Sequence, residues 1–119
     1  MNIEEYRDYC LAKKGVTEGF PFDQKTLVFK VMGKMFALTD VDGFKSVNLK
    51  CNPDNALDLR EQFHAVQPGY HMSKKHWNTV TINDDAPDQK IYEWIDDSYD
   101  LVVKSLTKKL KEELKLMEE

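Results

Sequence analysis

Cysteine is nearly absent from this sequence: Cys10 and Cys51 are the two, with no CxxC pair and no Cys/His spacing of a zinc site. A disulfide scaffold and a structural metal are therefore excluded as expectations, and reduced thiols in a cytoplasmic setting fit best. No basic segment leads into an apolar run at the N-terminus, and no apolar stretch approaches the roughly 20 residues that span a bilayer. Neither secretion nor a membrane partner is expected. The chain also lacks a Walker loop, a Rossmann glycine pattern, GxSxG and HExxH. With no local nucleophile or acid–base pair, the expectation is a non-enzymatic protein with no cofactor and no metal.

What the sequence does hold is enough for one core. Its 119 residues are 41% hydrophobic and 11% aromatic, which suits a single domain. The net charge of −4 argues against coating nucleic acid by bulk electrostatics. The charge is segregated, however. Residues 24–80 carry eight Lys/Arg against five Asp/Glu, and residues 81–106 carry two against seven. An ordinary set of solvated faces would also produce that contrast.

Asn2, with Glu5 three residues on, has the form of a capping box. Ile3, Tyr6 and Cys10 follow at helical spacing, and Gly15 ends the helix. "VTEGFPFD" reads as a loop. "TLVFKVMGKMFALTDVDGFKSVNLK" then predicts a three-stranded meander with two-residue turns at Gly33-Lys34 and Asp42-Gly43. Those turns set Val31 opposite Phe36 and Leu38 opposite Val47, with Leu27, Phe29, Val31, Phe36, Leu38, Val47 and Leu49 inward. The other face carries Lys30, Met32, Met35, Ala37, Thr39, Ser46, Asn48 and Lys50. Asn52 and Pro53 open a second helix that ends before Pro68. "GYHMS" and "WNTVTI" read as extended segments joined through Lys74, Lys75 and His76. Pro87 begins a long helix with Ile91, Ile95, Ser98, Val102 and Leu106 on one face. The tail after Leu106, residues 107–119, is a charged amphipathic extension of the single domain 1–106, with Leu110, Leu114 and Met117 continuing the stripe. It could prolong the last helix as a projection, fray, or form a homodimer contact. This order of elements is α+β, with helices on one face of an antiparallel sheet.

Three sites deserve weighing. Cys51 lies beside a helix N-terminus, where a thiol pKa can fall, although packing is the ordinary fate of such a residue. His64, His71 and His76 could supply ligands, but Lys74 and Lys75 between two of them would repel a cation. The acids Asp84, Asp85, Asp88, Asp96, Asp97 and Asp100 suit a weak hard cation, or simply helix initiation and solubility. Nucleic-acid binding is more coherent. Lys34, Lys74 and Lys75 at hairpin tips, with Lys45 beside the second turn, could reach phosphates. His76 and Asn78 could touch phosphates or base edges. Trp77, opening an alternating strand, is expected in the core rather than stacked on a base. Such binding would be weak and salt-dependent.

The blocks "FPFDQKTLVFKVMGKMFAL", "VNLKC", "PGYHMSKKHWNTV" and "IDDSYDLVV", in that order, closely resemble the YjbR/MmcQ family of small bacterial proteins. The resemblance spans Met1 to Leu106. It implies a fold like that of the bacterial frataxin homologue CyaY, a CyaY-like sandwich with helices over one face of the sheet. It also implies a DNA-binding role by analogy with a double-wing motif, an inference from shape alone. The wings would be the Gly33-Lys34 hairpin and the loop of Lys74, Lys75 and His76. The competing reading is a protein-interaction or small-ligand domain that uses the outer sheet face around Met32, Met35 and Ala37. A frataxin-like fold further suggests cation binding through Glu4, Glu5 and Asp8.

Overall fold

The computed structural model describes residues 1–69 and 72–117. Its order is α1 (Ile3–Leu11), β1 (Val16–Gly19), β2 (Thr26–Val31), β3 (Lys34–Asp40), β4 (Ser46–Lys50), α2 (Pro53–Gln62), β5 (Val66–Pro68), β6 (Trp77–Thr81), α3 (Asp88–Ser105) and α4 (Lys108–Leu116). All strand pairs are antiparallel, in the order β1-β2-β3-β4-β6-β5. The fold is α+β, with the hydrophobic cluster between the sheet and the helices.

The helix starts follow from their caps. Asn2 accepts from Glu5 N–H at 2.8 Å while the Glu5 carboxylate accepts from Asn2 N–H at 3.0 Å. Asn52 caps α2 with Pro53 behind it. In α3, Ile91, Ile95, Ser98 and Val102 are the buried face, the stripe that the spacing predicts.

The meander departs from its expected register in three places: the first turn falls one residue earlier than Gly33-Lys34, a bulge follows it, and residues 41–45 replace the two-residue turn at Asp42-Gly43. The β2–β3 turn is Met32-Gly33, with φ of +50° and +86°, and Val31 pairs with Lys34. Positive φ at both central residues is the twist-matched hairpin turn. Farther along, Lys30 pairs with Met35 and Phe29 with Ala37, so Phe36 is an extra residue. The bulge lets Phe36 and Ala37 both reach the core, each fully buried. Beyond it the strand's parity is inverted. Thr39, not Leu38, stands beside Val47, and Leu38 pairs with Val28 on the opposite face. The Thr39 hydroxyl donates to the Ser46 carbonyl at 2.7 Å, which satisfies it in the core.

Ser98 ties the bulge to α3. Its hydroxyl donates to the Phe36 carbonyl and accepts from Lys50 N–H at 2.9 Å. A backbone group displaced from the ladder thus finds a partner in the helix layer.

Three other expectations are corrected. "VTEG" is an edge strand rather than a loop, held partly by Arg7 paired to Glu18; four residues with no apolar alternation give no strand signal. The strand before the Lys74 loop is Val66–Pro68, earlier than "GYHMS", of which Tyr70 and His71 lie outside the described residues. Finally, α4 does not prolong α3. The backbone turns at Leu106 and Thr107 caps a new helix, which folds back so that the Lys14 ammonium reaches the Lys115 carbonyl at 3.0 Å. Leu106 and Leu114 are buried within the chain, so most of the stripe considered for a dimer seam is used internally.

Candidate nucleic-acid interface and an adjoining cleft

Strand directions place the candidate residues. β2–β3 turns at Met32-Gly33, and β4 runs back to end at Lys50 beside Trp77, where β6 begins. β5 and β6 are partners whose connection, residues 69–76, leaves from that same end. Lys34 and the group Lys74, Lys75 and His76 therefore share one end of the sheet, and all four are exposed. Three strand spacings separate the two hairpin axes, roughly 14 Å. Among the described residues no ion pair involves Lys34, Lys74 or Lys75. The Lys34 ammonium does lie 3.4 Å from the Ser105 carbonyl at the end of α3.

Lys45 is not with them. It precedes β4 at the opposite end, where its carbonyl accepts from Ile82 N–H at 2.9 Å. Asn78 is not at the surface either. Trp77 and Asn78 are 7% and 3% exposed, because this interior strand is covered on both faces near the tip. Register puts Trp77 on the face away from the helices, against Gly69, and Asn78 on the helix-facing side with Leu49.

Arg60, on α2, holds this region together. Its Nε donates to Asn78 Oδ1 at 2.8 Å, and its guanidinium also reaches the carbonyls of Trp77, at 3.3 Å, and Lys74. Cys51 N–H donates to the His76 carbonyl at 2.7 Å. The basic loop is thus fastened at its base, while its lysine side chains form no ion pair among the described residues. Arg60 carries no motif; being one of only two arginines was its sole signal.

The remaining candidates do not assemble. His64 sits at the far end, its ring 3.2 Å from Asp84, whereas His76 is at the tip end and His71 is outside the described residues. Met32 packs toward Gly15 and Ala37 faces the core, so Met32, Met35 and Ala37 form no outer groove. Glu5 is engaged in the helix cap. Among the described residues no three His, Cys, Asp or Glu side chains are grouped to hold a metal ion. No helix among those residues is long and apolar enough to cross a membrane.

Between α2 and α3, over β4 and β6, lies a cleft of about 410 Å³. Asp58, Asp97 and Asp100 line it with Lys50, Lys104, several amides, and the apolar Leu59, Trp94 and Leu101. Burial, followed by the carboxylates of Asp100, Asp96 and Glu93, raises the Asp97 pKa. Asn78 is part of the cleft wall, and its Nδ2 has no hydrogen-bond partner among the described residues. Cys51 also lines the cleft. Its pKa is raised, first by burial and then by Asp97, so the helix N-terminus does not activate it as the sequence position suggests. Cys10 is buried and pushed up to about 12, chiefly by desolvation.

The chain is similar to known proteins in sequence and in fold over most of its length. The chain is 37% identical over 107 residues to the uncharacterised protein YjbR of Escherichia coli K12, covering 89% of this chain and 91% of that one. It is 36% identical over 91 residues to YbdF of E. coli O157:H7, covering 76% and 75%. A crystal structure of a Deinococcus radiodurans protein with a DUF419 domain superposes with a TM-score of 0.90 at 37% identity, covering 98% of this chain and 89% of that one. A Pseudomonas syringae crystal structure superposes at 0.71 with 28% identity, covering 85% and 98%. The YjbR family model matches residues 11–101, and the chain belongs to the YjbR family.

Proposed function

We propose that this protein binds nucleic acid without catalysing a reaction on it, through phosphate contacts from the two hairpin tips. The observation that carries the reading is the common placement of Lys34 with Lys74, Lys75 and His76 at one sheet end, exposed and without ion pairs among the described residues. Two tips roughly 14 Å apart are close to the span of a major groove, about 12 Å. Lys45 and Asn78 have no part in this contact. Lysine contacts to phosphate position a protein without reading sequence, so little sequence preference is expected.

Three lysines predict a slope of log K against log[salt] near −3, since each neutralised phosphate contributes about −0.9 on duplex DNA. Titration of labelled single- and double-stranded DNA at two salt concentrations measures it. Replacing Lys74 and Lys75 together with Ala should weaken binding and flatten the slope by about two units. No binding at low salt, or an unchanged slope in the double variant, would overturn the reading.

A further inference from the structure

The α2–α3 cleft is separate from the hairpin tips and is chemically specific. Its two helical walls bring together three carboxylates, Asp58 from α2 and Asp97 and Asp100 from α3, and none of the three has an ion-pair partner within 4 Å among the described residues. The same lining holds the ammonium groups of Lys50 and Lys104, also without an ion pair among the described residues, so the carboxylates outnumber the ammoniums by one and the excess negative charge favours a cation. The carboxylates are not grouped to hold a metal ion, so a point charge is a poor match and an extended charge a better one. An independent feature is Asn78, 3% exposed and on the helix-facing wall. Arg60 occupies its Oδ1, which fixes the amide so that Nδ2 is the donor left without a partner among the described residues. Such a donor calls for an acceptor. Trp94, packed edge-on against Phe63 with ring centroids 5.2 Å apart, adds an aromatic wall, on which a cation is also favoured.

From these features we infer that the α2–α3 cleft binds a small organic cation, an amine or guanidinium compound that also carries a carbonyl acceptor. The cationic group meets Asp97 and Asp100, the carbonyl faces Asn78 Nδ2, and the connecting carbons lie against Leu101 and Trp94. A cleft of about 410 Å³ has room for a molecule of that kind. The site does not depend on the hairpin lysines, so its failure and that of nucleic-acid binding are distinguishable.

The test is an NMR titration of the isotope-labelled full chain with L-argininamide and L-lysinamide, following the Asn78 side-chain amide and the Trp94 indole. L-citrullinamide, which keeps the carbonyl and the α-amine but replaces guanidinium with urea, is the control for L-argininamide. Saturable shifts at both reporters with either cation are expected. The citrulline compound should bind the cleft about ten-fold more weakly than L-argininamide if guanidinium meets the carboxylates. Asp97→Asn combined with Asp100→Asn should weaken cation binding by at least about ten-fold without unfolding the protein, since both are surface-reaching side chains. A Lys74→Ala, Lys75→Ala protein should retain the shifts. No saturable shift with either cation, shifts confined to the hairpin tips, or indifference to the double Asn variant would overturn the inference.

Discussion

Arg60 Nε donates to Asn78 Oδ1 across 2.8 Å, while the same guanidinium reaches the carbonyls of Lys74 and Trp77. One side chain thus joins α2, the floor of the cleft and the basic loop. Arg60→Ala should cost roughly 1–3 kcal/mol, because it strands a buried amide oxygen. The loop should also open, and limited trypsin digestion would show faster cleavage after Lys74 and Lys75. Arg60→Lys should not restore protection, since an ammonium lacks the planar fork that serves three acceptors. A variant as resistant as the parent would show that the loop is held by other contacts.

Ser98→Ala tests the bulge. It leaves the Phe36 carbonyl and the Lys50 N–H without their partner, so a loss of roughly 1–3 kcal/mol is expected. Urea titration should give a lower midpoint with an unchanged m value.

Two aspartates should respond to pH with opposite sign. Asp85 accepts from Ala65 and His64 N–H at 2.8 and 2.7 Å, and the Ala65 bond leads the causes that hold its pKa below the ordinary value. A depressed folded pKa means that its stabilisation is present above the unfolded value and lost as pH falls through the folded one. Asp85→Asn should therefore lower Tm at neutral pH, with the gap closing in acid. Asp97 is raised, by burial first, so its charge opposes folding at neutral pH. Asp97→Asn should raise Tm slightly there, and that gap should also close as pH falls. Melting curves from pH 3 to 7 measure both; a pH-independent gap for either would remove its charge as the cause.

The thiols should be slow to react. Cys51 is raised by burial and by Asp97, and Cys10 is raised to about 12. The thiolate is the reactive form. A thiol-specific reagent at neutral pH should modify Cys51 more slowly than a free cysteine and Cys10 only on unfolding. Fast modification of Cys51 would contradict the raised value.

Glycine is required where α4 docks. A Cβ on Gly15 would stand 2.5 Å from Leu114 Cδ1, and φ there is +73°. Gly15→Ala should therefore destabilise through both contact and backbone strain. Leu114→Ala should cost about 2–4 kcal/mol by opening a cavity. Thermal denaturation checks both; a neutral Leu114→Ala would show that α4 is not part of the cooperative unit.

The helix caps and the buried stripe of α3 were legible because each rests on local chemistry: Asn2 with Glu5, Asn52 with Pro53, and apolar residues at helical spacing. The bulge at Phe36 was not, since alternation reads equally well straight through it. That extra residue explains why Leu38 changes face and Ala37 and Thr39 turn inward. The tip positions of Lys34, Lys74 and Lys75 followed from where strands end, a coarse property that survives a register error. Lys45 and Asn78 were misplaced because their positions depend on strand direction and parity. Nothing local could show that Asp58, Asp97 and Asp100 line one cleft from two helices.

The contact between Leu114 and Gly15 also bears on synthesis. Gly15 leaves the ribosome well before Leu114, the side chain that covers it. A nascent chain can pair all six strands and still lack the cover over Gly15 and Met32 until α4 has emerged. Those residues are therefore the place where a product stalled before α4 would be open to chaperones and proteases.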